Sequence, residues 1–356
     1  MMQYDNKMNI DQSSRVQSID VVRVGAIFAV VVIHTMPFSD TYIWLGQDIN
    51  VGYLLNQLAR FAVPFFFVIS GYFWASKINA GGPIFYSTKK MAKKVSTIFL
   101  VWSAIYLLPI NLVEAFQYGM LGPIKVTYWN VAALFNHPIR TAMEGGKVHL
   151  WFLVSLLFCL IFCAILVAKE MEKSLIRLSV VLYAIGLLGK AYADSPIGFR
   201  SEFNFRDGPF FGLVFFVTGY KLSQSRERGS WLILGLSLAI FGTLMHFAEI
   251  FMLQSLWGTT IIQDYVIGTY FMGVGVALIS LSNPRFLRCD QLSNIAPLVL
   301  GIYAIHFIFV DLLRPVGAGS IGVIWWGFGY PIAVFILSLA STYAMSRFSL
   351  TRPIVV

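Results

Sequence analysis

Arg23 and His34 stand eleven positions apart in a stretch that is otherwise almost wholly apolar from Val21 to Ile33, with Asp20 three residues before the arginine. At ~100° per residue, eleven steps return to within about 20° of the same helical face, roughly 16 Å further along the axis. Both side chains can therefore line one groove, a cation toward one end and an imidazole toward the other. A neutral imidazole so placed can act as a general base, an effect worth ~10²–10⁴ in rate where a hydroxyl must lose its proton. The competing reading makes Arg23 an interfacial anchor and His34 a hydrogen-bonded helix contact. The helix by itself does not choose between them.

Other ionisable groups fall at comparable depth, where each is costly and hence a functional candidate. Arg60 precedes Pro64-Phe65-Phe66-Phe67 and Ser70-Gly71-Tyr72. With acidic residues scarce at that depth, its expected partner is a ligand oxygen or bound anion, or else the backbone carbonyls freed at Pro64. Lys89-Lys90-Met91-Ala92-Lys93-Lys94 is the densest basic cluster, suited either to phosphates or to anionic lipid. His149-Leu150-Trp151-Phe152 opens another apolar stretch at the expected depth of His34, and Trp151 reads as a belt residue or a substrate platform. Tyr303 and His306 lie one turn apart, and Asp311 and Arg314, three apart, are expected to pair. Cys159, Cys163 and Cys289 form no disulfide framework or metal motif, and Gly-Lys-Ser, Gly-x-Ser-x-Gly and His-Glu-x-x-His signatures are absent, so no metal site is expected. Gly273 and Gly275 read as close helix packing.

The elements that must position these groups are membrane helices. Hydrophobic residues make up 58% of the 356-residue chain and charged ones 12%, an excess that only lipid can cover. This excludes a soluble enzyme, a disordered chain and a disulfide-stapled secreted domain. Ten apolar stretches qualify as spans, near 20–37, 52–75, 95–118, 149–168, 174–190, 209–222, 231–250, 259–281, 295–313 and 321–345. With the N-terminus inside, 18 Lys and Arg fall on the cytoplasmic side and 7 on the outer side, with Arg60 left within a helix. The positive-inside rule then sets both termini in the cytoplasm. The expected fold class is an all-α integral membrane protein of about ten transmembrane helices. It comprises a leader over 1–18, one polytopic membrane domain over 19–346 and a cytoplasmic tail over 347–356. The formal charge of +9 reads as these loop cations rather than as a nucleic-acid surface.

Ile19-Asp20-Val21-Val22-Arg23-Val24-Gly25-Ala26 with His34 resembles the opening signature of the membrane acyltransferase-3 family. Pro64–Phe67 with Ser70-Gly71-Tyr72, His149–Phe152, and Leu300-Gly301-Ile302-Tyr303 with His306 resemble further family blocks in the same order. The pattern is most similar to the stand-alone branch that includes the enterobacterial common antigen O-acetyltransferase and fucose 4-O-acetylase-like proteins. The resemblance implies an O-acetyltransferase of the bacterial inner membrane, with no permanently bound cofactor. Its donor would be cytoplasmic acetyl-CoA and its acceptor a sugar hydroxyl of a surface polysaccharide or lipid-linked precursor. It makes Arg23 and His34 the catalytic pair. Arg60 joins them, on depth alone, as a donor to the oxyanion. Asp20, Lys90, Lys93, His149, Trp151, Tyr303 and His306 are the expected substrate-binding residues. Where many members carry Arg-x-x-Arg, this chain offers Lys90-x-x-Lys93 or Lys89 and Lys94, point charges in place of a bidentate fork. The chain has no room for the SGNH hydrolase domain of some members, so transfer is expected to finish in the membrane unit or pass to a separate protein. Membrane lipid and a second copy of the chain remain partners that apolar surfaces allow. The alternatives are a transporter of an acyl group, glycan intermediate or amino acid, and an inactive accessory subunit.

Overall fold

The computed structural model describes residues 16–44, 48–225, 229–317 and 322–356. α1 (Gln17–Thr35) leads into a two-stranded antiparallel hairpin, β1 (Tyr42–Trp44) and β2 (Asp48–Asn50), with Ile43 opposite Ile49. α2 (Val51–Leu58) continues through the 3-10 turn Ala59–Phe61 into α3 (Ala62–Asn79). After α4 (Ile84–Ile105), three shorter helices, α5 (Leu112–Phe116), α6 (Gly122–Asn136) and α7 (Pro138–Glu144), lead to α8 (Trp151–Ala168) and α9 (Glu172–Leu188). Then come α10 (Pro209–Gln224), α11 (Trp231–Trp257), α12 (Ile267–Leu281), the short α13 (Asp290–Ile295), α14 (Val299–Leu313) and α15 (Val323–Ser346). A helix of at least 15 residues overlaps each of the ten apolar stretches. Among the described residues six helical units, 17–35, 51–79, 148–168, 231–257, 290–316 and 323–346, are long and apolar enough to cross a bilayer.

Two helices start elsewhere than the apolar windows indicate, for local reasons. Pro83, extended at φ −61 and ψ 127, fixes the start of α4, so the Lys89–Lys94 cluster lies within the helix. The helix ends before Pro109, and residues 112–136 form α5 and α6, whose exposed Val113, Met120, Ile124, Tyr128 and Phe135 make a surface suited to the headgroup boundary. The second case is the window 259–281. Gly258 closes α11 in the left-handed region at φ +67, and the chain stays non-helical until Ile267. Glu249 of α11 accepts from the backbone N–H groups of Ile267 and Gly268, both at 2.9 Å, and so caps α12.

α1 occupies the middle of the bundle, packed on α3, α12, α14 and α15. Close helix approach depends on small residues. As expected, Gly273 and Gly275 sit at packing contacts: a Cβ at 273 would lie 2.2 Å from Pro64 and one at 275 would lie 2.3 Å from the Ala239 nitrogen. α3 and α10 meet backbone to backbone, since a Cβ at Gly219 would lie 1.9 Å from the Val68 carbonyl oxygen. The C-terminal segment departs from a free tail. Residues 352–354 form a 3-10 turn, Trp102 donates to the Ile354 carbonyl at 2.9 Å, and Val355 is fully buried.

Gly219→Val should force α3 and α10 apart and destabilise the protein by ~1–3 kcal/mol, the usual effect of overpacking. Gly25→Ala, where a Cβ meets nothing within 4 Å, should leave stability essentially unchanged. Thermal unfolding in detergent would read both; equal melting temperatures for the two variants would refute the tight α3–α10 contact.

Candidate active site

The face of α1 that carries Arg23 continues through Val30 to His34. Arg23 and Val30 line a cavity of about 750 Å³ between α1, α3, α4, α8 and α14. One end is basic, with Arg23, Lys77, Lys90 and Lys94 on the lining and no carboxylate among them. Lys94 is near enough to Arg23 and Lys77 to feel both charges. The walls beyond are Phe66, Ile69, Phe73, Trp74, Leu153 and Leu156, and the deep end is closed by Val30, Phe152 and Tyr303. His34 follows Val30 by one turn, on the same face.

Around His34 the structure gathers aromatic rings. His306 lies 5.3 Å away by ring centroids, His149 6.5 Å and Phe307 4.6 Å. The equal depth expected for His34 and His149 is thus observed. His149 stacks on Phe307 at 4.7 Å and is 1% exposed; His306 is fully buried. Carbonyl acceptors fix both tautomers. The Ala304 carbonyl lies 3.3 Å from His149 Nε2, and the Tyr303 carbonyl 2.6 Å from His306 Nδ1, so each of these nitrogens carries the proton. The lone pairs on His149 Nδ1 and His306 Nε2 are buried with no protein partner. His34 itself makes no hydrogen bond among the described residues, and its ring is only partly covered. Tyr303 donates its hydroxyl to the His149 backbone carbonyl, which joins the deep end of the cavity to the histidine cluster.

A network of ion pairs flanks this cluster. Arg60 bonds Asp264 at 3.2 Å and Asn56 Oδ1 at 2.9 and 3.2 Å. This corrects the expected partner: a carboxylate from the loop before α12, neither a free anion nor the carbonyls at Pro64, satisfies the guanidinium. Asn56 also donates to the Ile33 carbonyl at 3.0 Å, tying α2 to α1 beside His34. Asp264 further pairs with Lys190 at 3.0 Å and faces Arg206 at 3.8 Å. Arg206 bonds Glu144 at 2.7 Å and Asp207 at 3.2 Å, and its guanidinium lies over Trp151 at 4.8 Å. Burial opposes ionisation of Asp264, yet Arg206, Arg60 and Lys190 outweigh it and hold its carboxyl well below the usual range. Burial pushes the Asp207 carboxyl up to about 6, against the pull of Arg206.

The expected site residues divide accordingly. Arg23, Lys90 and Tyr303 line the basic-ended cavity, and His34, His149 and His306 form the cluster beyond it. Lys93 is off the lining, because that face of α4 is centred between Lys90 and Lys94. Asp20 is buried and bonds Arg23 at 3.5 Å, outside the cavity lining. His149, Trp151 and His306 back the site as packed side chains and present no open surface. Asp311 pairs with Lys147 at 2.5 Å and, among the described residues, not with Arg314. Lys77, Arg206 and Asp264 were not among the expected site residues, and Lys94 stood only in the alternative pair with Lys89. Lys77 had a signal, since it is the cation at the end of the helix that carries Pro64–Phe67. Asp264 had none beyond the Gly258 break.

A family model described as an acyltransferase domain matches residues 16–346. Among curated proteins, two amino-acid racemases of Enterococcus faecalis are similar to the chain. One is 26% identical over 67% of this chain and 34% of its own length, the other 28% identical over 64% and 32%. A serine/alanine racemase of Enterococcus gallinarum is 26% identical over 60% of this chain and 30% of its length. The chain thus spans about a third of the curated relatives it matches. No solved structure matches it.

Two tests follow from the ion-pair network. Asp264→Asn leaves Arg60, Lys190 and Arg206 without their shared counter-charge and should cost ~3 kcal/mol or more, the range for breaking a buried pair; an unchanged melting temperature would show that the network is dispensable. The second test is pH. An acid whose folded pKa is about 6, above its unfolded value of about 3.9, holds its proton more tightly when folded. Lowering the pH from 7 to 5 should therefore stabilise the protein through Asp207, by about 1 kcal/mol. Asp264 has the opposite sign, but its contribution is lost only below its unfolded value, outside that window. Melting curves at both pH values should show the gain in the wild type and lose it in Asp207→Asn.

Proposed function

The chain belongs to the acyltransferase family whose domain it matches over residues 16–346, and we propose that it is a membrane O-acetyltransferase using acetyl-CoA as donor and a sugar hydroxyl of a surface glycan or its lipid-linked precursor as acceptor. The observation that carries this reading is the cavity that runs from four cations to within one helical turn of His34. A nucleotide bearing several phosphates suits Arg23, Lys77, Lys90 and Lys94. Lysines bind phosphate as point charges, so Lys90 and Lys94 would attract the nucleotide without the bidentate orientation that an arginine gives. A long, weakly polar pantetheine arm suits the walls of Phe66, Ile69, Trp74 and Leu156. The thioester then reaches the level of Val30 and Tyr303.

His34 takes the proton of the acceptor hydroxyl as its oxygen attacks the thioester carbonyl. The carbon–oxygen bond forms, the carbon–sulfur bond breaks, and the proton passes from His34 to the departing thiolate. An oxyanion develops between these steps and needs donors. Arg60 remains the candidate, within electrostatic reach of His34 and braced by Asn56 and Asp264. In this assignment the basic end faces the cytoplasm, where acetyl-CoA resides, and the protein works in a bacterial inner membrane with both termini inside.

The relatives' names point to amino acids as their substrates, and the second reading is a membrane module that moves a small molecule such as an amino acid without chemistry. Labelled acetyl-CoA and a glycan acceptor supplied to detergent-purified protein separate the two. Under the first reading the wild type makes covalently acetylated glycan, and His34→Ala reduces turnover ~10²–10⁴-fold, the usual worth of a general base. Lys90→Ala with Lys94→Ala should raise the KM for acetyl-CoA and flatten its salt dependence. Arg60→Ala with unchanged turnover would remove that residue from the mechanism. Amino-acid counterflow in vesicles without acetylated product would establish transport instead.

A further inference from the structure

His34 lines a space distinct from the donor cavity, whose lining stops one helical turn short of it at Val30. At the end of α1 opposite Arg23, it forms the floor of a separate pocket of about 380 Å³, walled by residues 35–40, by Arg314 and Gly317, and by Val323, Trp326, Gly327 and Tyr330 of α15. That volume lies within the ~300–1,000 Å³ typical of small-molecule sites.

The wall is a built feature. Met36 and Phe38 both take left-handed backbone, at φ 46 and 61, a conformation that costs non-glycine residues energy and persists only where the surroundings enforce it. Here the enforcement is visible. The Phe38 ring fills a notch on α15 where a Cβ at Gly327 would lie 2.4 Å away, and it meets Phe328 edge-on at 4.8 Å. On the other side Asn50 donates to the Ser39 carbonyl at 2.5 Å. Trp326 stacks on Tyr330 at 4.8 Å, and Tyr330 is anchored by its bond to the Val310 carbonyl at 2.8 Å.

The charges of the two spaces differ in kind. The donor cavity carries four cations and no carboxylate on its lining, with Asp20 bonded to Arg23 from outside it. This pocket carries one of each, Asp40 and Arg314, and Asp40 has no ion pair among the described residues. A lone carboxylate repels an anion but accepts hydroxyl protons, while a guanidinium donates to hydroxyl and ether oxygens. An indole face covers the apolar side of a sugar ring.

Resting on the acetyltransferase reading, we infer that this pocket is the acceptor site and that it takes a neutral saccharide unit, with its reacting hydroxyl on His34. Asp40 and Arg314 hold the flanking hydroxyls and Trp326 the ring. Donor and acceptor reach the imidazole from opposite ends of α1. In the transfer the acceptor oxygen gains the acetyl group, its proton goes by way of His34 to the coenzyme A thiolate, and no other reactant is consumed.

The test uses full-length protein in detergent, labelled acetyl-CoA, and two acceptor pools, neutral methyl hexosides and the corresponding uronates. Coenzyme A binding is measured in parallel by calorimetry. The wild type should acetylate hexosides in preference to uronates. Asp40→Asn and Trp326→Ala should each raise the hexoside KM about ten-fold, the scale of one lost charge-assisted contact, with coenzyme A affinity unchanged. Unchanged affinity also certifies that the variants are folded, and Trp326→Phe should recover most of the loss. Normal hexoside KM in both variants, preference for uronates, or coenzyme A binding with no acetylated sugar would each overturn the assignment. Wild-type protein that neither binds coenzyme A nor transfers acetyl would instead refute the acetyltransferase reading on which it rests.

Discussion

Lipid offers no hydrogen bond to a polar side chain, so the face of α1 that carries Arg23 and His34 has to be enclosed by other helices. That requirement explains the central place of α1 among α3, α12, α14 and α15. It also explains why the space beside this face is a cavity with chemically distinct ends. Cations can sit at the Arg23 end because they gather where water and headgroups are near, at the end of α3 and the start of α4. Deeper in, only groups with local partners are tolerated. Tyr303 therefore donates to the His149 carbonyl, and His149 and His306 each spend one ring nitrogen on a backbone carbonyl. What is left over is the imidazole of His34 and two buried lone pairs near it.

The ion-pair network beside the cluster obeys the same constraint in a different form. Arg60 within a membrane helix would be prohibitive alone. Asp264 neutralises it, and Lys190 and Arg206 then keep Asp264 ionised. Such clusters are weak sources of stability, since desolvation offsets much of the attraction, but they penalise any rearrangement that separates one partner. Asn56 transmits this rigidity, bonding Arg60 with its oxygen and the Ile33 carbonyl with its amide. The backbone immediately before His34 is thereby held against α2.

Much of this was legible from period and composition. The eleven-residue spacing of Arg23 and His34 identified a shared face, six of the apolar windows coincide with helical units long enough to cross a bilayer, and His149 was sought at the level of His34. What escaped did so for physical reasons. Asp264 lies in an apolar window whose mean hides a single carboxylate, and its bond to Arg60 spans 204 residues, a contact that no local pattern reports. Lys93 was preferred to Lys94 by analogy with an Arg-x-x-Arg spacing, whereas the register of α4 behind Pro83 decides which lysine faces inward. Arg206 sits in a polar connection before α10, where composition gives no reason to single it out.

Under the acetyltransferase reading, His34 lines one space and stands one helical turn beyond the closed end of the other, an arrangement that suits transfer better than transport. A carrier must let one solute pass from end to end, so its central group has to move aside. Here His34 is braced by Phe307, His149 and His306, while the backbone before it is tied through Asn56 and the turn after it is locked into the Gly327 notch. The two spaces also differ in charge: four cations line the first, with Asp20 bonded to Arg23 from outside the lining, whereas the second carries one carboxylate and one guanidinium. A single solute would have to suit both, whereas two reactants of different chemistry each need to suit only one. On that reading, an imidazole between unlike pockets suits a bimolecular reaction, in which approach from opposite sides brings the reacting atoms together without either molecule crossing.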